Sequence, residues 1–118
     1  SVDKSADEFS RTVADIANDG ARHLRQNANF RPSDFFINDD YCAAGYGVLT
    51  SGEKEAIQLF ARYEAILLDP VYTGRAAAGM IDLIRRGFFK PEEQVLFWHT
   101  GGTPALFADP YTGVLSKP

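Results

Sequence analysis

Ala65-Ile66-Leu67-Leu68-Asp69-Pro70 is the stretch on which the fold turns. Four apolar residues run without a polar interruption and stop at an Asp-Pro pair. A run that is apolar on both sides predicts a buried strand, as in a parallel sheet covered on two faces. Gln94-Val95-Leu96-Phe97-Trp98-His99 has the same character and stops at Thr100-Gly101-Gly102, which predicts a second buried strand. Between them, residues 73–86 read as a helix. Its positions Ala76, Ala77, Ala78, Gly79, Met80, Ile81, Leu83 and Ile84 cover most of the circumference, so deep burial is expected. Arg85 and Arg86 suit its C-terminal dipole, and Gly87 suits a left-handed cap.

The same alternation extends outward. Ser5-Ala6-Asp7-Glu8 is a capping box opening a helix over 6–26, with an apolar stripe at Phe9, Val13, Ile16, Gly20 and Leu24. Val2 before it suggests the end of a strand. Arg31-Pro32 breaks the pattern, and Phe35-Phe36-Ile37 reads as a short strand. Residues 38–49 read as a loop in which Gly45 and Gly47 permit positive φ. Thr50 and Glu53 form a second capping box, for a helix over 51–63 that buries Ala56, Ile57, Phe60 and Ala61. Thr103-Pro104 reads as an N-cap followed by proline, opening a short helix over 104–108, and the residues from Asp109 onward read as peripheral. Helices alternating with strands predict an α/β fold with parallel strands.

Composition narrows the function. The 118 residues suit one compact domain, and 45% are hydrophobic, enough for a packed core. A net charge of −4 argues against nucleic acid and anionic membranes as partners. No apolar run approaches the roughly 18 residues of a membrane span. The single cysteine, Cys42, fits a reducing, cytoplasmic setting and reads as a half-buried loop residue. Metal ligation is not expected, because paired cysteines, His-x-x-x-His and EF-hand spacing are all missing from the sequence. Ligands of open α/β sheets bind at the carboxyl ends of strands. The two polar strand ends, Asp69–Gly74 and His99–Thr103, would therefore place Tyr72, Thr73 and Thr100 within reach of one ligand. His99 itself reads as a satisfied core histidine, and His23 as a solvated one.

Two segments carry a resemblance: Ala65 through Gly87, with Asp69-Pro-Val-Tyr-Thr-Gly74 at its centre, and Gln94 through Phe107, with His99-Thr-Gly-Gly-Thr-Pro104. Together with Gly45-Tyr-Gly47 before a helix, they resemble the D-cysteine desulfhydrase / aminocyclopropane-carboxylate deaminase family. Nearly the whole chain takes part, residues 1–35 only loosely. The resemblance implies a tryptophan-synthase-β-like, fold-type II enzyme with a three-layer α/β/α architecture, dependent on pyridoxal 5'-phosphate. Residues 1–118 would then be the C-terminal part of its cofactor-binding large domain. In that family a lysine holds the cofactor as a Schiff base, and a glycine-rich loop holds its phosphate. Both are expected upstream of Ser1, since Lys4, Lys54, Lys90 and Lys117 do not stand in the lysine motif. A truncated or processed start is expected, with little activity in the isolated chain.

By the same resemblance, Tyr72 is the active-site tyrosine, beside the substrate and acting in acid/base or nucleophilic chemistry. Thr73 is a substrate-binding position where the deaminase branch carries glutamate. Thr100, with Gly101 and Gly102, lies at the cofactor, and Thr100 faces the pyridine nitrogen, where the deaminase branch carries leucine. A neutral hydroxyl there leaves the ring a weaker electron sink than a carboxylate would. That suffices when a good leaving group such as thiolate sits at Cβ. The implied reaction is β-elimination of D-cysteine to pyruvate, hydrogen sulfide and ammonia in a cytoplasmic homodimer. Ring-opening deamination of aminocyclopropane carboxylate and elimination on another small amino acid are the alternatives within the class. A non-catalytic folded fragment and a small-molecule binding module are alternatives outside it.

Overall fold

The computed structural model describes residues 5–42, 45 and 47–115. Val2 and Tyr46, named above as a strand end and a loop-motif residue, lie outside these. Among the described residues four α-helices form: α1 Ala6–His23, α2 Ser51–Glu64, α3 Thr73–Arg85 and α4 Tyr111–Leu115. Short 3-10 turns occupy Pro32–Asp34, Asp40–Cys42 and Thr103–Phe107. None of these helices is long and apolar enough to cross a membrane. The chain divides into two compact units, Ser1–Ala43 and Ala44–Pro118.

No strand and no sheet form among the described residues, so the expected α/β fold with parallel strands is corrected to a helical one. The reason lies in what an apolar run leaves unspecified. A strand exists only with a hydrogen-bonded neighbour, and composition does not supply one. Ala65, expected inside a strand, instead turns into the left-handed region (φ 54°) and ends α2, while the Ile66 N–H returns to the Phe60 carbonyl at 3.2 Å. The carbonyl of Leu67 is taken by side chains, the ring of His99 at 3.1 Å and the hydroxyl of Thr103 at 3.3 Å, in place of a ladder. Residues 94–99 are not buried either, with Leu96 at 81% and Trp98 at 76% exposure. Phe35, Phe36 and Ile37 likewise form no strand, and Phe36 is exposed.

In the first unit, both halves of the Ser5/Glu8 box are present. The Glu8 N–H donates to Ser5 Oγ at 3.3 Å, and the Ser5 N–H donates to the Glu8 carboxylate at 3.2 Å. The covered face of α1 is Ser10, Ala14 and Ala21, whereas Ile16 and Leu24 of the expected apolar stripe are exposed. Small residues suit close approach, and Ser10 satisfies its hydroxyl on the Asp7 carbonyl at 2.8 Å. Asn18 ties α1 to the following chain, donating to the Phe30 carbonyl at 2.9 Å and accepting the Phe30 N–H at 2.7 Å.

In the second unit, α2 packs on α3. Ala56, Ile57, Leu68 and Ala77 form the buried centre, with Phe60, Ile81, Phe97 and Leu106 packed against it. Of the expected apolar sheath of α3, only Ala77 and Gly79 are buried, and Ile84 is half exposed. Gly74 lets the helices approach. A Cβ there would stand 2.6 Å from the Asp69 carbonyl oxygen and 3.1 Å from the Ile57 side chain. Gly87 adopts the expected positive φ, 70°.

Candidate functional site

Three connecting segments converge at the start of α3. The first is the turn 69–73. Asp69 precedes α3 and serves as its cap. Its Oδ2 accepts the N–H groups of Val71 at 2.7 Å and Tyr72 at 2.8 Å, and its Oδ1 accepts the Thr73 N–H at 2.7 Å. The Tyr72 and Thr73 N–H groups are donors that a helix start leaves without internal partners, and the Val71 N–H belongs to the turn before it. The Thr73 hydroxyl donates to Asp69 Oδ1 at 2.7 Å and accepts the Asp69 N–H at 2.8 Å. Asp69 is 1% exposed. Burial works to raise its pKa, but hydrogen bonds from the Thr73 backbone and hydroxyl, Tyr72 and Val71 outweigh it and hold the carboxyl below its ordinary value.

The second segment is the corner 99–103. Gly102 (φ 92°) lies so close to Asp69 that a Cβ would stand 2.7 Å from Asp69 Cγ. This contact brings the two loops named from sequence together without a sheet to align them. His99 fixes the corner. The Gly101 N–H donates to His99 Nδ1 at 3.0 Å, so Nδ1 is unprotonated and Nε2 carries the hydrogen donated to the Leu67 carbonyl. His99 is thus satisfied on both nitrogens, although the residue is exposed and not in a core.

The third segment is the glycine loop 45–49. Gly45 and Gly47 have φ of 94° and 72°. Arg75, in the first turn of α3, donates from Nη1 to the Gly45 carbonyl at 3.0 Å and from Nη2 to the Val48 carbonyl at 2.7 Å. Its Nε donates to Glu53 Oε1 at 2.8 Å in an ion pair whose side chains are 11% and 4% exposed. Glu53 also accepts the Thr50 N–H at 3.0 Å and the Thr50 hydroxyl, completing the expected α2 cap. Burial opposes its ionisation. The bonds from Thr50 and Arg75 prevail and lower its pKa. Tyr111 of α4 adds a bond from its hydroxyl to the Gly47 carbonyl at 2.8 Å.

The structure therefore brings Tyr72, Thr73 and Gly102 to Asp69. Tyr72 is 60% exposed, and Thr100 is exposed. Thr73 is 2% exposed, with its hydroxyl engaged by Asp69, so it shapes the turn from within. Asp69, Arg75 and Glu53 carry most of this geometry; Glu53 was expected only as a helix cap, and Asp69 and Arg75 were not singled out by sequence reasoning. Arg75 had a readable signal, a lone cation at the head of the apolar run Ala76–Ile81. Among the described residues no group of three His, Cys, Asp or Glu side chains is placed to hold a metal ion. No protein-family model matches the chain.

Proposed function

We propose that this chain forms part of a pyridoxal-phosphate-dependent β-elimination lyase acting on a small amino acid, with D-cysteine as the first substrate to test. The observation that carries the reading is the close contact of Gly102 with Asp69, the residue whose carboxylate holds the Tyr72 and Thr73 N–H groups, in a turn whose Tyr72 is exposed. Both lie in the segments in which the resemblance resides.

The residues present fit one edge of the cofactor. Gly101 (φ 100°) has no heavy atom within 4 Å of where a Cβ would stand, and Thr100 beside it is exposed, which leaves room for a flat ring. Thr100 would face the ring nitrogen with a neutral hydroxyl, and Gly101 and Gly102 would line the ring. The lysine and the phosphate loop would come from outside the segments that carry the resemblance. When bound, pyridoxal phosphate supplies an electron sink that acidifies the substrate's Cα–H. Tyr72 would contact the substrate and move a proton at its reacting atoms. Thr73 and Asp69 position Tyr72 by fixing the backbone on either side of it. The overall reaction consumes one water: D-cysteine and water give pyruvate, hydrogen sulfide and ammonia.

The test is turnover by the intact protein loaded with pyridoxal phosphate, offered D-cysteine and, separately, aminocyclopropane carboxylate. Pyruvate with stoichiometric sulfide from D-cysteine alone is expected. Pyruvate from aminocyclopropane carboxylate would overturn the elimination reading, and no product from either would leave this chain without the proposed activity.

A further inference from the structure

We propose that His99 is a positioning residue whose uncharged ring clasps the Gly101-Gly102 corner, and that protonation of the ring releases it. That the corner borders the cofactor rests on the reading above; the clasp itself rests on geometry. Both ends of the corner hang on one acceptor. The Leu67 carbonyl takes His99 Nε2 at 3.1 Å and the Thr103 hydroxyl at 3.3 Å. Between them stand two glycines at φ 100° and 92°, a backbone with little conformational preference of its own. Gly102 is held by its contact with Asp69 and by the Ala105 N–H, which donates to its carbonyl at 3.0 Å. Gly101 is held through its N–H, which donates to His99 Nδ1 at 3.0 Å. That bond needs a lone pair on Nδ1. Imidazolium carries hydrogen on both nitrogens and has no acceptor to offer. Protonation therefore strengthens the bond to Leu67 and sets Nδ1–H against the Gly101 N–H. Histidine is the side chain that changes charge between about pH 5 and 8, and His99 is exposed to solvent. Other than His99, residues 65–68 and 94–108 include no titratable side chain. The charged group that meets the corner is Asp69, and its lowered pKa keeps it ionised across that range.

In the full chain at about pH 8, nuclear magnetic resonance should find hydrogen on His99 Nε2 and a bare Nδ1. Protection of the Gly101 amide, corrected for the intrinsic pH dependence of exchange, should fall about tenfold as the ring titrates. Asparagine offers a side-chain oxygen as acceptor and does not titrate. In H99N the Gly101 protection should therefore stay flat over the same range. In H99A, which removes the acceptor, it should be low throughout, with α2 and α3 unchanged. A Gly101 amide that ignores the titration of the ring would overturn the proposal, as would a pH response that persists in H99N. In the intact protein loaded with pyridoxal phosphate, cofactor loss at about pH 5 should be about tenfold faster in wild type than in H99N. Equal loss alongside a Gly101 response would uphold the clasp and detach the corner from the cofactor, so that the reading of function fails and the clasp stands.

Discussion

The Asp69 carboxyl group packs against the backbone of Gly102, so closely that a Cβ at position 102 would stand 2.7 Å from Asp69 Cγ and 2.8 Å from Oδ1. The residue that caps α3 is thus also the floor under the 99–103 corner. Two costs coincide at position 102, a left-handed backbone (φ 92°) and a steric conflict with a buried, fully engaged carboxylate. Gly102→Ala should lower stability by about 2–4 kcal/mol. A denaturant midpoint within error of wild type would show that the corner stands off from Asp69.

Gly74 presents the second close approach. Here φ is helical and the obstacle is the Asp69 carbonyl, 2.6 Å from the position of an added Cβ. Alanine has the better helix propensity, by about 1 kcal/mol. The clash is with the backbone of the turn that precedes α3, so that turn must shift, and Gly74→Ala should still be destabilising by about 1–3 kcal/mol. A higher melting temperature for the variant would contradict this close approach of Gly74 to the Asp69 carbonyl.

Asp69 and Glu53 give stability an acid limb. Both folded-state pKa values are lowered from the ordinary carboxylate range, so the folded state binds fewer protons than the unfolded one. Their contribution is fully present above the ordinary values, near 3.8 and 4.5. It is lost as pH falls through the lowered folded values. Asp69→Asn removes one of these groups and weakens the cap by about 1–3 kcal/mol at neutral pH. The variant's stability should fall less steeply than wild type below about pH 4. Parallel unfolding-versus-pH curves for the two proteins would show that Asp69 is not the ionised cap.

Ala65 is the converse case, a residue held in a conformation it disfavours. At φ 54° it ends α2 where glycine is the usual occupant. Ala65→Gly should stabilise the protein by up to about 1 kcal/mol, the relief of strain exceeding the added freedom of the unfolded chain. Chemical denaturation checks the sign, and a destabilised variant would mean that the αL cap is not populated.

The sequence announced what local chemistry decides. Ser5/Glu8 and Thr50/Glu53 are capping pairs whose spacing alone fixes the helix start, and α1 and α2 begin where those pairs place them. Gly87 and the Gly45/Gly47 pair adopt the positive φ that their neighbours implied. The strands failed because the runs at 65–68 and 94–99 state hydrophobicity without stating a partner, and Ile66, Leu67, Leu96 and Trp98 remain exposed. The stripe at Phe9, Ile16 and Leu24 misled for a related reason: helical periodicity identifies a face, and which face is covered depends on what packs there. At the site, glycines and a tyrosine drew notice as unusual loop residues. Asp69 passed as a simple strand terminator, because its four-bond capping role depends on a turn geometry that sequence does not display.

Tyr72 separates chemistry from architecture. Its backbone N–H is held by Asp69, while the residue is 60% exposed. Replacing it by phenylalanine keeps the ring and the backbone bond and deletes only the hydroxyl. If the hydroxyl carries a proton in the reaction, turnover of D-cysteine by the intact loaded protein should fall about 10²–10⁴-fold. The fall should appear in kcat and kcat/KM together, marking an interaction made in the transition state. Unaltered kcat in Y72F would remove Tyr72 from the chemistry. A loss confined to KM would reduce it to a substrate contact, leaving the proton transfer to a residue outside this turn.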